Sequence, residues 1–321
     1  MIKYLGHENQ IWGVEEVRLV GGKGDGMRLL QIRNGSGLEL TVSADRCADI
    51  SRLTLGGVNF GYFSPCGYVS PKYYDKDRNG FLKSFTAGFL TTCGLSSVGS
   101  SCNDVGEVLP LHGTISNTPA EHVYHEIKDG EIHVYAMVRD EALFSHGLVL
   151  KREYKVPFMK NELYITDTVT NTGYTDTPLQ MLYHFNVGYP LLDENTVLSI
   201  PSNSVAPRND HAATDIDNCL IMEKPQRNYE EMCYYHHMTG IAEVSVFNPE
   251  IKKGFIMSYD TAALPYFTEW KMMGERDYVL GVEPGNTLPD GRDVMRKKGL
   301  LQILKAGGSK THKIKFTFVE E

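Results

Sequence analysis

The sequence predicts an all-β fold, a large antiparallel β-sandwich with few short helices. Apolar and polar residues alternate in many short segments of the 321-residue chain, which is the two-residue period of a half-buried strand. Helical periodicity is weak, with short candidate helices only near 79–85 and 228–236. Without crossover helices a parallel sheet is disfavoured. No repeat or linker divides the chain, so we expect one domain over residues 1–321.

Turn residues separate the predicted strands. Lys128-Asp129-Gly130 and Asn171-Thr172-Gly173 have the composition of tight turns. The glycine-rich run 21–26 precedes a strand-like segment, whereas a phosphate loop needs a helix there, so we interpret it as a hairpin turn. The predicted strands are 38–50, 131–139, 146–156, 162–170, 178–188, 241–247, 254–259, 278–284, 299–304 and 314–318.

Composition excludes several classes of function. The net charge of −8 and the lack of a basic cluster argue against nucleic acid and membranes as partners. No segment approaches the ~18 apolar residues of a membrane span, and the first residues lack an apolar secretory core, so we predict a cytoplasmic protein. The six cysteines form no Cys-x-x-Cys pair, which favours reduced thiols. The pairs His122/His125 and His236/His237 would face opposite sides of a strand, so we predict no metal site.

Two arginines fall in apolar strand phases and therefore need partners. If 157–161 is the loop of a hairpin, Arg152 stands opposite Asp167 as a cross-strand ion pair. Structural support is the favoured role of this pair, and catalysis is the alternative. Arg46 shares the apolar phase of 38–50. It either extends to the rim or points into a cavity as a ligand-binding guanidinium.

One predicted strand presents an unusual polar face. In 177–187 the odd positions from Leu179 onward are apolar, while Gln180, His184 and Asn186 lie at even positions. Amide and imidazole groups in a row suit a sheet that hydrogen-bonds the hydroxyls of a ligand. A structural, hydrogen-bonded histidine is the alternative.

A carboxylate ends a second strand. Glu283 has the side-chain phase of Gly281, which leaves open space beside it, and precedes a turn. These features make it a candidate general base, with a surface glutamate as the alternative. Upstream, Trp270 alternates with Glu269 and Lys271. Trp270 is either a core residue or a platform for a sugar ring.

Six segments, in order, resemble landmarks of the aldose 1-epimerase (galactose mutarotase-like) superfamily, most closely its little-characterised bacterial branch. The resemblance covers nearly the whole chain and implies an antiparallel β-supersandwich whose concave sheet carries a sugar site. The segments are RCADI at 46–50, GFLTTCGL at 88–95, LHG at 111–113 with ISNTPA at 115–120, YHFN at 183–186, WKMM at 270–273 and GVEP at 281–284.

The resemblance also implies roles for four residues. His184 would protonate the ring oxygen of the sugar, and Glu283 would accept the proton of the anomeric hydroxyl. His112 would bind the sugar, and Arg46 would contact ring hydroxyls. For its role His184 must be protonated and Glu283 ionised, which mutual attraction favours and burial opposes. The chemistry consumes no metal, redox group or other cofactor.

The chain departs from the galactose mutarotases at two points. Gly285 stands where they have glutamine after Glu-Pro, and their substrate-binding aspartate has no counterpart here. Lys271 or Arg208 would suit an acidic or phosphorylated sugar. The oligomeric state, including a homo-oligomer, stays open.

We therefore predict a cofactor-free sugar 1-epimerase that interconverts the anomers of a small-molecule aldose or modified aldose. The predicted catalytic residues are His184 and Glu283. The predicted substrate-binding residues are Arg46, His112, Gln180, Asn186, Trp270 and Lys271. A non-catalytic carbohydrate-binding or sensor protein, and another sugar isomerase or lyase reaction on the same scaffold, are the alternatives.

Overall fold

The computed structural model describes residues 2–321, and antiparallel sheets dominate it. The smallest of its three large sheets has five strands in chain order. Its first two strands pair antiparallel on either side of residues 21–26, as the predicted hairpin requires. The predicted all-β antiparallel fold is confirmed. The five strands are Trp12–Arg18, Arg28–Asn34, Leu38–Ser43, Asp49–Leu55 and Val58–Asn59.

The other two large sheets are built from strands that are distant in the chain. The eight-stranded sheet has the spatial order Glu121–Lys128, Glu131–Glu141, Gly147–Pro157, Glu162–Asn171, Ser309–Glu320, Lys253–Asp260, Ile241–Asn248 and Val197–Ser199. The six-stranded sheet has the order Ser204–Pro207, Met232–His237, Tyr266–Met273, Tyr278–Gly285, Gln180–Val187 and Leu90–Leu95. Three two-stranded pairs complete the strands: Tyr62–Phe63 with Ala87–Gly88, Cys102–Asp104 with Glu107–Leu109, and Thr177–Pro178 with Ile303–Leu304.

Helices are few and short, as predicted, but not all lie at the predicted places. The candidate at 79–85 contains a 3-10 turn, whereas the candidate at 228–236 is wrong. Met232–His237 is a strand because it pairs on both sides, with Ser204–Pro207 and with Tyr266–Met273. The α-helices are Asp210–Ala213 and Arg292–Lys297. The 3-10 helices are Ile2–Tyr4, Glu8–Gln10, Gly22–Gly24, Pro71–Tyr73, Gly80–Lys83, Ile115–Asn117 and Ile216–Asn218.

Within residues 2–321, no helix combines the length and the apolar composition that a membrane span requires. The six cysteines all lie in this part of the chain, and all are free.

A continuous apolar core joins the three large sheets. Its buried residues include Leu40 from the five-stranded sheet, Leu150 from the eight-stranded sheet, and Phe185 and Val282 from the six-stranded sheet. That residues 1–321 form a single domain stays a prediction.

A buried charge network lies in this core, and it contains the predicted hairpin pair. Arg152 is opposite Asp167 in the register, with Nε 2.9 Å from Oδ1 and NH2 2.6 Å from Oδ2. NH1 of Arg152 also donates to Asp49 Oδ1 at 2.7 Å, and the Tyr183 hydroxyl donates to Asp167 Oδ2 at 2.9 Å. The predicted ion pair is confirmed. Because Tyr183 faces this network, the next residue, His184, faces the other side of its sheet.

Candidate active site

A cavity of about 460 Å³ lies against the outer face of the six-stranded sheet. Its volume falls in the range of small-molecule sites, roughly 300–1,000 Å³. Four strands of the sheet supply its floor, through Cys233, Thr268, Trp270, Glu283 and His184. Irregular segments between the strands form its walls. The predicted residues His184, Glu283, His112 and Trp270 are therefore brought together.

The imidazole of His184 and the carboxyl group of Glu283 are in contact inside this cavity. His184 Nε2 lies 3.2 Å from Glu283 Oε1, and both side chains are almost fully buried. The two residues belong to adjacent antiparallel strands, Gln180–Val187 and Tyr278–Gly285, whose register sets Phe185 opposite Val282. The pairing of these strands thus holds the two groups together.

A glycine makes room for this carboxyl group. A Cβ atom at Gly281 would overlap Glu283 Oε1 and would lie 3.0 Å from Trp270 Cβ. The predicted gap beside Glu283 is present, and the carboxyl group itself lies in it.

Burial controls the protonation of the pair. It lowers the pKa of His184 to about 4, and the Asn186 side chain acts in the opposite direction. It raises the pKa of Glu283 well above the ordinary range of a carboxyl group; Arg208 lowers that pKa and Glu231 raises it further. Burial therefore favours the neutral form of both groups, an unprotonated imidazole and a protonated carboxyl group. The pair carries one mobile proton.

Aromatic rings surround the His184 imidazole. The ring centroids of Trp270, Phe85 and His112 lie 5.2, 5.4 and 5.6 Å from it. Burial lowers the pKa of His112 well below its ordinary value, and its Nδ1 atom is buried without a hydrogen-bond partner. The Trp270 indole N–H donates to Glu231 Oε2 at 2.7 Å. His112 and Trp270 thus offer a neutral polar edge and an apolar ring to a ligand.

The structure does not bring Arg46 to the cavity. The predicted strand 38–50 is interrupted by a turn over 44–48, where Cys47 and Ala48 have φ angles of 55° and 52°. The buried guanidinium donates instead to three backbone carbonyls, those of Ser116 at 2.6 Å, Val69 at 3.0 Å and Ser84 at 2.8 Å. Arg46 therefore does not line this cavity, and its donors hold loops together.

Lys271 also lies away from the cavity. It follows Trp270 in the strand and so faces the opposite side of the sheet. Its buried Nζ atom is 3.3 Å from the Asn218 carbonyl oxygen, 3.5 Å from Glu223 Oε1 and 3.8 Å from Asp215 Oδ2. Lys271 therefore cannot contact a ligand beside Trp270 without a change of strand register.

Gln180 and Asn186 share the strand face of His184 but do not line the cavity. Gln180 Nε2 donates to Thr287 Oγ1 at 2.7 Å, and Asn186 Nδ2 donates to the His184 carbonyl oxygen at 2.8 Å. Both side chains are fully buried. They support the strand that carries His184 rather than meeting a ligand.

Several lining residues escaped the sequence analysis. Thr268 is 1% exposed, and its Oγ1 atom has no hydrogen-bond partner. It shares the phase of Trp270, so the strand alternation could have indicated it. Ser100 and Phe85 lie in irregular segments, where no periodicity assigns a side chain to a face. Arg208, named but not placed from the sequence, also lines the cavity.

Within residues 2–321, no three histidine, cysteine, aspartate or glutamate side chains are placed to hold a metal ion. The sequence predicts that His236 and His237 face opposite sides of a strand. His236 is buried, and its Nε2 atom lies 2.9 Å from Glu269 Oε2.

Comparison with solved structures finds the same fold along the whole chain. A Klebsiella pneumoniae protein, provisionally named an aldose 1-epimerase, is 27% identical with a TM-score of 0.92, over 97% of this chain and 84% of that chain. A galactose mutarotase-like protein from Clostridium acetobutylicum is 14% identical with a TM-score of 0.71, over 98% and 100% of the two chains. Galactose 1-epimerase from Lactobacillus acidophilus is 14% identical with a TM-score of 0.64, over 97% and 100%. No curated protein matches the sequence.

The β-sandwich therefore identifies a protein with the fold of the aldose 1-epimerase (galactose mutarotase-like) superfamily. The family model is more specific. The chain belongs to the family described as "Domain of unknown function (DUF4432)", whose model matches residues 24–318.

Proposed function

We propose that this protein is a cofactor-free sugar 1-epimerase. The observation that carries the proposal is the contact of His184 and Glu283, 3.2 Å apart in a cavity of about 460 Å³. Opening a cyclic hemiacetal removes a proton from the anomeric hydroxyl and adds one to the ring oxygen. Both oxygens are bonded to the same carbon, so the base and the acid must be neighbours. A histidine and a carboxyl group in contact meet this requirement.

The single mobile proton of the pair is sufficient for this reaction. Transfer of that proton from Glu283 to His184 Nε2 gives the carboxylate base and the imidazolium acid without exchange with solvent. The carboxylate then takes the proton of the anomeric hydroxyl while the imidazolium protonates the ring oxygen, and the C–O bond of the ring breaks. After rotation of the free aldehyde, ring closure on its other face reverses both transfers. No net proton is consumed.

The remaining lining residues suit a sugar ring. We assign Trp270 as an apolar platform for one face of the ring, since its indole borders the cavity beside His184. We assign His112 Nδ1 and Thr268 Oγ1, both buried and without partners, as hydrogen-bond partners of sugar hydroxyls. An unpaired buried polar atom costs about 1–3 kcal/mol, which a bound hydroxyl group would recover.

The test is anomer exchange measured by saturation-transfer NMR across a panel of neutral and acidic aldoses. We expect the wild-type protein to accelerate exchange of at least one aldose, and Glu283→Gln to lower that rate roughly 100- to 10,000-fold. Lys305→Met, at an exposed ion pair with Asp176, is the matched control and should leave the rate unchanged. Binding of a sugar with no faster exchange would favour a carbohydrate-binding or sensor protein. Formation of a new sugar product would favour another isomerase or lyase.

A further inference from the structure

One wall of the cavity carries a guanidinium group that the proposed proton transfers do not use. Arg208 follows the edge strand Ser204–Pro207, and its backbone N–H donates to the Cys233 carbonyl oxygen at 3.0 Å. This bond fixes the point from which the side chain extends. Among the lining residues in the described part of the chain, Arg208 is the only lysine or arginine.

The guanidinium group has weak partners. NH2 donates to Ser100 Oγ at 3.0 Å, and its other neighbours are a backbone carbonyl at 3.4 Å and a thiol at 3.8 Å. The nearest carboxylate, Asp290, is 4.0 Å from Nε. Asp290 already accepts from the Tyr235 hydroxyl at 2.5 Å and from Lys298 Nζ at 2.8 Å. Since a guanidinium has five N–H donors, Arg208 keeps donors and charge for a ligand.

We propose that Arg208 binds an anionic substituent of the sugar, so that the substrate is an acidic aldose rather than a neutral one. The proposal rests on the proposed epimerase function and specifies its substrate class. A planar guanidinium pairs with a carboxylate or phosphate through two parallel hydrogen bonds. The Ser100 hydroxyl accepts from Arg208 and keeps its own hydrogen, so it adds a neutral donor at this wall.

The negative groups of the cavity are compatible with this assignment. Glu231 also lines the cavity, but its Oε2 atom accepts the Trp270 indole N–H. Glu231 therefore belongs to the wall that we assign to the sugar ring. Glu283 is the second carboxyl group, and burial raises its pKa, which favours its neutral form.

The experiment compares D-glucose and D-galactose with their 6-carboxylates and 6-phosphates. Anomer exchange gives kcat/KM, and isothermal titration calorimetry gives Kd for the same sugars. For wild type we expect one acidic class to exceed its neutral parent at least tenfold, and the class that does so identifies carboxylate or phosphate. Arg208→Met should lower the ratio of acidic to neutral kcat/KM at least tenfold. Arg208→Lys should retain part of the ratio.

Lys305→Met is the matched control, because Lys305 forms an exposed ion pair with Asp176 and does not line the cavity. It should leave the ratio within twofold of wild type. Equal affinity for acidic and neutral sugars in the wild type would overturn the proposal, and so would an unchanged ratio in a folded Arg208→Met variant. An Arg208-dependent preference for acidic sugars in calorimetry, without accelerated exchange of any sugar, would refute the epimerase function and leave the anion site standing.

Discussion

His184 and Glu283 touch across two neighbouring strands, with Nε2 and Oε1 at 3.2 Å. The contact places an acid–base pair on a rigid sheet rather than on a mobile loop, so little reorganisation is needed before a proton moves. Burial has shifted the two pKa values in opposite directions, and the pH dependence of the reaction should reflect both shifts.

The first prediction concerns that pH dependence. Below pH about 4, His184 becomes protonated while Glu283 keeps its proton, so the pair contains no base. Above the raised pKa of Glu283, the pair loses its only mobile proton, which leaves no acid. We expect kcat/KM to be high between these limits, with the alkaline limb well above the ordinary carboxyl pKa of ~4.3. The pH profile of kcat/KM for the best aldose of the panel measures both limbs.

Variants of His184 and Glu283 assign each limb of the pH profile to one of the two residues. His184→Asn should remove the acid limb, and Glu283→Gln should remove the alkaline limb, each on a strongly reduced rate. An alkaline limb that survives in Glu283→Gln would contradict the assignment.

The second prediction concerns Gly281. In Gly281→Ala the new methyl group needs the space that Glu283 Oε1 occupies, so the carboxyl group must move away from His184. We expect kcat to fall at least tenfold while circular dichroism and the melting temperature show a folded protein. Gly6→Ala is the control, since a Cβ there meets only Gln10 Oε1 at an ordinary 3.5 Å. An unchanged kcat in Gly281→Ala would show that the position of the carboxyl group is not critical.

The third prediction uses two adjacent residues on opposite faces. Trp270→Ala should raise KM for the best aldose about tenfold, which corresponds to about 1.4 kcal/mol, because the ring loses its platform. Lys271→Met should leave KM within about twofold, because Nζ lies on the far side of the sheet near Glu223. Steady-state kinetics of the two variants decide the question. If KM rose in Lys271→Met but not in Trp270→Ala, the binding site would lie on the face of the sheet that carries Lys271.

The fourth prediction concerns stability. Arg152→Met leaves Asp167 and Asp49 buried without their cation, which should cost about 3–5 kcal/mol in the free energy of unfolding. Urea denaturation measures the loss, and Lys305→Met, at an exposed ion pair, should cost at most about 1 kcal/mol. In a double-mutant cycle with Asp167→Asn we expect a coupling energy of about 0.5–3 kcal/mol. Additive losses would contradict a direct pair.

The strand faces and one register were predictable from the sequence because they follow from local rules. Alternation placed His184 opposite Tyr183 and Trp270 opposite Lys271. The short loop at 157–161 fixed the register of Arg152 and Asp167. Each of these inferences needs only the two-residue period of a strand and the length of a turn.

The failures have a different origin. The segment 38–50 alternates like one strand, but Cys47 and Ala48 turn the chain through positive φ angles that neither residue type signals. Arg46 therefore does not lie on the strand face that the alternation of 38–50 predicts. Arg208 and Ser100 reach the cavity from segments outside strand periodicity, so only the tertiary structure brings them beside the sheet.

The cavity is assembled from stretches as distant as Asn79 and Pro289, which has a practical consequence. A compound that fits the cavity can bind only the folded chain, and it must therefore raise the unfolding free energy by mass action, about 2.7 kcal/mol at a hundredfold excess over Kd. Thermal-shift screening of a metabolite library should thus identify ligands of this protein before any assay for turnover exists.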